Sequence, residues 1–230
     1  MPSWRLDEQT YAGPEHLDPA YVAGYERKAG YSPDADIEVL RDLGVDDAST
    51  VLDVGAGTGR FALALAPHCR QVIAADVSPA MVAALRARAA SVGVANVRVE
   101  QAGFLSLPDD LGPVDAVYTR NVLHQLPDLW KLVALRNVAG ALRPGGVLLL
   151  HDLVVDAGPD QLDGVIEAWL AGAVDDPAVG WTADEYVTHL HTEFSTYTWI
   201  LEGLLERSGF DVFTRATRQS VYATYTCRRS

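Results

Sequence analysis

The chain has 230 residues, 49% of them hydrophobic, with 18 basic residues against 31 acidic ones and a formal net charge of −13. That length suits one α/β unit with a sizeable core, and a field of that sign repels nucleic acid rather than gathering it. No stretch approaches the roughly 20 apolar residues that span a bilayer, the opening Met1-Pro-Ser-Trp-Arg-Leu-Asp-Glu-Gln-Thr10 lacks the layout of a secretory signal, and Cys69 and Cys227 are too few for a disulfide framework or a metal cluster, so a soluble, cytoplasmic protein with no membrane partner is expected.

The first residues, rich in tyrosine (Tyr11, Tyr21, Tyr25, Tyr31) and carrying Pro14 and Pro19, read as a mixed lead-in with a short helix over 21–28. A helix over 34–43 follows, with acids at its start where the dipole is positive. From Thr50 strands alternate with helices. Strands fall near 50–54, 72–75, 97–100, 114–119 and 146–151, read as continuous apolar runs of the kind parallel strands show when both faces are covered. A helix over 61–66 follows the first strand, and Ser78-Pro79 opens an alanine-rich amphipathic helix over 80–90, with proline at the first turn where its missing N–H costs nothing. Pro144, Gly145 and Gly146 break the helix ahead of the fifth strand. Helical patterns over 161–173 and 183–190 come next, then a helix over 198–208 with Ser195 or Thr196 as candidate N-caps and Gly209 as the stop. Residues 210–215 and 221–226 alternate on either side of a short turn and read as a hairpin, so one of them runs antiparallel to the sheet.

Chemistry concentrates in Val51-Leu-Asp-Val-Gly-Ala-Gly-Thr-Gly-Arg60 and in Ile73-Ala-Ala-Asp76. A strand ends in a glycine turn that opens a helix, and a second strand ends in a carboxylate about 20 residues on, placed to accept hydrogen bonds from a ribose diol. The glycines let the backbone turn sharply and let a ligand lie against it. A dinucleotide fingerprint, G-x-G-x-x-G, requires glycine where Arg60 stands. The observed G-x-G-x-G, together with Asp53, Asp76 and Leu142-Arg-Pro-Gly-Gly-Val-Leu-Leu-Leu150, resembles the class I S-adenosylmethionine-dependent methyltransferases. The resemblance covers about residues 35–227. Three stretches look like an actinobacterial small-molecule group of that family: Tyr25-Glu-Arg-Lys-Ala-Gly-Tyr31, Tyr118-Thr-Arg-Asn-Val-Leu-His-Gln-Leu-Pro127 and Phe194-Ser-Thr-Tyr-Thr-Trp-Ile-Leu-Glu-Gly-Leu-Leu-Glu-Arg207.

The resemblance implies a Rossmann-like α/β fold. Its seven-stranded, mostly parallel sheet has one antiparallel strand and helices on both faces. It divides the chain into a lead-in (1–34), a cofactor-binding core (35–155), a helical insertion (156–195) and a final helix with hairpin (196–230). It implies S-adenosylmethionine as cofactor, held by Asp53 and the turn Gly55-Ala56-Gly57 with Gly59, by Asp76, and by Val77 and Met81 against adenine. Asp53 has a second reading, as a carboxylate that only steadies the turn. Gly103 and Phe104 are placed at the adenine edge, where the family commonly has an acid. That acid is absent here, so the backbone or a neighbour such as Gln101 must supply the contact. Arg120 and Asn121 are expected to face the cofactor methionine, and Tyr11, His124, His151 and Tyr197 the acceptor.

His124 is the candidate base, since imidazole titrates near neutrality, although relatives with Leu-His-His carry a second imidazole where this chain has Gln125. The segment His189-Leu-His191-Thr-Glu193 invites a metal reading. The i, i+2 imidazole spacing suits a strand or loop rather than the helical i, i+4 pair of a zinc site, and no metal is expected. The function implied is methyl transfer to oxygen or nitrogen of a small metabolite by a monomer or homodimer. The rivals are methylation of tRNA or protein, a cofactor-retaining cyclase or isomerase, and an S-adenosylmethionine sensor.

Overall fold

The computed structural model describes residues 4–28 and 30–230, together with all side chains in them except those of Pro14, Glu26 and Arg27. Met1-Pro-Ser of the opening segment, and Ala29 within the Tyr25-to-Tyr31 signature, lie outside the described residues.

Five parallel strands carry the core: β1 (Thr50–Val54), β2 (Gln71–Asp76), β3 (Val97–Gln101), β4 (Val114–Arg120) and β5 (Leu142–Val155). A two-residue β6 (Thr196–Tyr197) adds to the end of β5, and β7 (Phe210–Arg218) with β8 (Tyr222–Arg229) completes the sheet in the order β3-β2-β1-β4-β5-β8-β7. β8 runs antiparallel to both of its neighbours, as the hairpin pattern requires. Apart from the short β6, this is the seven-stranded sheet expected from the sequence.

Helices α1 (Pro19–Lys28), α2 (Asp34–Asp42), α3 (Arg60–Leu65), α4 (Pro79–Val92), α5 (Asp128–Ala141), α6 (Leu162–Leu170), α7 (Ala183–Thr192) and α8 (Thr198–Arg207) surround the sheet. Because side chains alternate along a strand, β1 sends Leu52 and Val54 into one apolar cluster with Leu135 of α5 and Leu201 of α8. Val51 goes to the opposite cluster with Leu40 of α2 and Phe61 of α3. Both faces of β1 are buried, which is why it reads as a continuous apolar run.

β3 departs from that expectation. As the outer strand beside β2 it reads Val-Arg-Val-Glu-Gln, alternating and only half-buried, because an edge strand has fewer neighbours to cover it. β5 starts earlier than expected, at Leu142. Arg143, Pro144, Gly145 and Gly146 bulge out against the single Asp115 of β4, whose carboxylate accepts from Arg143 Nε at 2.7 Å and from Thr50 N at 2.8 Å. Neither Ser195 nor Thr196 caps α8. Thr196 is held in β6 against Val154, Ser195 Oγ lies 2.8 Å from His189 Nε2, and Tyr197 occupies the N-cap without a side-chain bond.

The β7–β8 turn places Gln219 and Ser220 at φ of +55° and +54°, closed by Val221 N donating to Arg218 O at 3.3 Å. Two left-handed residues make a type I′ turn, for which Asn-Gly is the favoured pair. Gln219→Asn with Ser220→Gly is expected to stabilise the protein by about 1 kcal/mol, read as a higher denaturation midpoint at unchanged slope.

Candidate functional site

The parallel strands end on one side of the sheet, and β1 runs straight into three glycines. Gly55, Gly57 and Gly59 stand at φ of +75°, +54° and +86°, where a side chain is strained. Gly55 N and Ala56 N both donate to Ala75 O, tying the turn to β2. Asp76, at the tip of β2, takes an N–H from each adjoining turn: Gly57 N to Oδ2 and Ser78 N to Oδ1, both at 2.8 Å. Burial raises the Asp76 pKa, and those two N–H groups together with the charge of His16 only partly offset it.

A cavity of about 60 Å³ opens here, and its lining includes Gly55, Gly57, Asp76, Val77, Met81, Gly103, Phe104, Arg120 and Asn121. The sequence reading assigned those nine residues to the cofactor, and the structure brings them together around one cavity. Asn121 holds φ of +55° and donates its N–H to His151 O at 2.9 Å, a left-handed conformation that asparagine tolerates better than most residues.

Three expected cofactor residues stand elsewhere. Ala56 and Gly59 do not line the cavity, and Gly59 instead caps the start of α3, where a Cβ would sit 2.8 Å from Leu85 Cγ. Asp53 is 2% exposed and lies beneath the turn, with Oδ2 unpartnered among the described residues. Burial and then the charge of Asp76 push its pKa well above the usual carboxylate range, against an N–H from Ala62. Its position fits the second reading, support of the turn.

The lead-in closes the cavity. Glu8 lies in a 3-10 turn (Glu8–Tyr11), and its carboxylate accepts from Phe104 N at 2.7 Å and from Leu105 N at 2.8 Å. A Cβ on Gly103 would lie 2.5 Å from Glu8 Cδ, so glycine there makes the seat for this side chain. A carboxylate thus stands beside position 103, brought there from residue 8. Tyr11, His16 and Tyr25 line the same cavity, and Ser78, which caps α4, donates its hydroxyl to His16 O at 2.6 Å. Sequence reasoning missed Glu8 and His16 because nothing local marks them. The absent acid at Gly103 was the one available hint.

Burial raises the Glu8 pKa to about 7, against the two backbone N–H bonds and helped by the charges of Asp76 and Asp7. A carboxyl raised in the docked state favours docking fully below its ordinary value of 4.5, and that preference is lost as pH rises through about 7. Protection of the Phe104 and Leu105 amides from exchange is therefore expected to fall by up to about tenfold per pH unit between about 5 and 7. Glu8→Gln, neutral throughout, should show no such fall relative to wild type.

The structure does not bring His124, His151 or Tyr197 to the cavity. His124 is buried in a 3-10 turn (Leu123–Gln125) with its Nδ1 against Asp152 Oδ1 and its Nε2 2.8 Å from Glu193 Oε2. Burial alone would drive its proton off, but the two carboxylates outweigh this and hold its pKa at about 9. Standing outside the cavity, this imidazole is not placed to act as the base expected from the sequence. His151 Nδ1 lies 2.8 Å from Thr224 Oγ1, and its Nε2 lies 3.1 Å from Asp36 Oδ1. Asp36 also accepts from Tyr118 Oη and Arg120 Nη1, so His151 serves a cluster that braces Arg120 from behind. Tyr197 is fixed in β6 and stacks on Trp199 at 6.0 Å. Of the expected acceptor residues, Tyr11 alone lines the cavity, and its ring meets Phe194 at 5.9 Å.

A methyltransferase-domain family matches residues 51–146. Among curated relatives, an uncharacterised methyltransferase of Bacillus subtilis is 38% identical over 102 residues, 44% of this chain and 40% of that protein. The 27-O-demethylrifamycin SV methyltransferase of Amycolatopsis mediterranei is 32% identical over 142 residues, 61% of this chain and 51% of that protein. The chain thus spans about half the length of the curated relatives it matches. Among solved structures, the magnesium protoporphyrin IX methyltransferase of Synechocystis with bound S-adenosylhomocysteine superposes with a TM-score of 0.69 at 17% identity, over 97% of this chain and 100% of that one. Residues 51–146 thus match a methyltransferase domain, and the chain shares its Rossmann-like fold with S-adenosylmethionine-dependent methyltransferases of known structure. No helix among the described residues is long and apolar enough to cross a membrane.

Proposed function

We propose that the chain transfers the methyl group of S-adenosylmethionine to an oxygen or nitrogen of a small metabolite. The observation that carries this reading is the cover over the cavity: the lead-in and the helical insertion meet above the carboxyl ends of the strands. Lys28 of α1 pairs with Glu185 of α7, and Tyr11 touches Phe194 just beyond α7. A covered site admits a small acceptor and turns away a polymer, and the net charge of −13 further disfavours nucleic acid. The rifamycin relative, named for a methyl transfer to oxygen, supports the same class of acceptor.

The residues present fit the cofactor. Gly55 and Gly57 allow close backbone approach, and Asp76 offers its remaining lone pairs to a ribose diol. Glu8 and the Gly103-Phe104 turn form the adenine edge, with Arg120 and Asn121 at the methionine end. The cavity of about 60 Å³ holds only a few waters, each needing roughly 10–15 Å³. The lead-in therefore opens to admit the cofactor and closes behind it.

When bound, S-adenosylmethionine supplies a methyl group on a sulfonium, whose departure leaves a neutral thioether. The protein then has to align the acceptor about 3 Å from that carbon and keep water out. Tyr11, Val122 and Leu126 are the lining side chains suited to this exclusion. A base is required only for an acceptor still protonated at working pH, and His124 does not supply it.

The test mixes the protein with S-adenosylmethionine labelled on its methyl group and extract from the source organism, then separates products by size. Label in small molecules, lost in Asp76→Ala, is the expected result. Label in RNA or protein would overturn the acceptor class. Tight cofactor binding without any transfer would replace the reading with the cyclase or sensor alternatives.

A further inference from the structure

Away from the cavity, the insertion docks on the core through a polar cluster that the proposed reaction does not use. His124 from the turn after β4, His189 on α7 and Glu193 at its C-cap bring one ligand atom each to within 4.8 Å of one another. Glu193 Oε2 lies 2.8 Å from His124 Nε2 and 2.6 Å from His189 Nδ1. That oxygen is buried and meets no hydrogen-bond partner of good geometry among the described residues. We propose that His124, His189 and Glu193 form a binding site for a divalent transition-metal ion, Zn²⁺ being the best match to two imidazoles and a carboxylate.

The surroundings are those a metal site requires. A metal-ligating histidine donates its other ring N–H to an outer partner that fixes the tautomer, and both histidines have one. His124 Nδ1 rests on Asp152 Oδ1, and His189 Nε2 lies 2.8 Å from Ser195 Oγ. Asp152 is itself held by His124 N at 2.9 Å and Leu153 N at 2.8 Å. The ligand-bearing segments are fixed to one another: Phe194 N donates to His124 O at 2.8 Å, and Thr196 pairs with Val154 of β5.

The histidine side chains are 6% and 12% exposed and Glu193 is 23% exposed, so the cluster is shielded yet open on the carboxylate side for an ion to enter. Metal–ligand bonds of about 2.0–2.1 Å at tetrahedral angles set neighbouring ligand atoms about 3.4 Å apart. The nitrogen–oxygen pairs, now at 2.8 and 2.6 Å, must therefore widen by about 0.6 and 0.8 Å, within reach of a Glu193 rotamer adjustment. The fourth position is left for water. The ion would staple α7 to the core, joining segments 65 and more residues apart.

The sequence spacing concealed this. Residues 183–192 are helical, so the pair at i, i+4 is His189 and Glu193 rather than His189 and His191, and the third ligand comes from a distant turn.

The test uses the untagged full chain, stripped with chelator and titrated with Zn²⁺ by calorimetry, with metal content measured after desalting and Co²⁺ used for its ligand-field spectrum. One Zn²⁺ per chain with Kd of about 1 µM or tighter is expected, with a higher melting temperature and a tetrahedral Co²⁺ spectrum. Glu193→Gln should weaken binding at least about 100-fold, and Ser195→Ala, which touches only the outer partner of His189, about 10-fold. Should Glu193→Gln fail to fold, Ser195→Ala decides the matter. Failure to take up stoichiometric Zn²⁺, or equal affinity in the wild type and the folded variants, would overturn the site. None of these readouts depends on the methyl-transfer reading.

Discussion

Gly55→Ala is expected to destabilise the protein by about 3 kcal/mol and to remove measurable cofactor binding. Two costs combine. The backbone at Gly55 has φ of +75°, where an L-residue with a Cβ is strained by about 1–2 kcal/mol. The added carbon would also lie 2.7 Å from Val122 Cγ1 and 2.9 Å from Val122 Cβ, inside van der Waals contact. Val122 follows Asn121, itself left-handed, so this loop has little freedom to retreat. Val122→Ala added to Gly55→Ala removes the collision but not the backbone strain. The double variant should recover about half of the lost stability, as judged by denaturant midpoints. Full stability in the single variant would mean that the turn does not hold this conformation.

Asp76→Ala is expected to weaken S-adenosylmethionine binding at least about 100-fold, corresponding to roughly 3 kcal/mol of charge-assisted hydrogen bonding. Its effect on folding should be smaller. Removing the side chain strands the N–H groups of Gly57 and Ser78, but it also relieves a buried carboxyl whose pKa is raised. These oppose one another, so the denaturation midpoint should move far less than the affinity. Asp76→Asn retains one acceptor oxygen and should fall between. Calorimetric titration with S-adenosylmethionine, beside a denaturant melt of each variant, separates the two effects. A loss of stability equal to the loss of binding would show that Asp76 only steadies the glycine turn.

Much of the molecule was legible from short stretches of chain. Apolar runs marked the buried strands, and alternation over residues 210–226 marked the hairpin. Ser78 ahead of Pro79 marked the start of α4, where its hydroxyl accepts from Met81 N at 3.2 Å. The glycine turn and the carboxylate at the tip of β2 were visible for the same reason. A turn's φ requirements and a strand's end are local, and the residues that meet them lie within a few positions of one another.

The candidate base was misread because a histidine after β4 has no fixed fate until its neighbours are known. Asp152 lies 28 residues beyond His124 in the chain, and Glu193 lies further still, yet they decide its protonation and its distance from the cavity. His151 fell into the same gap, taken up by Asp36 from α2 and Thr224 from β8.

By itself the sequence determined the α/β order, the antiparallel final strand, the glycine turn and Asp76, all of which follow from periodicity and backbone sterics within a single element or one crossover. Only the tertiary structure decided what closes the cavity and what surrounds each imidazole. Glu8 reaches Phe104 across 96 residues, and α7 reaches the turn at His124 across more than 60. Such contacts are set by how covered sheet faces and connecting loops pack in space, and the burial and neighbouring charges met there, rather than residue type alone, set which groups are charged and which face a ligand.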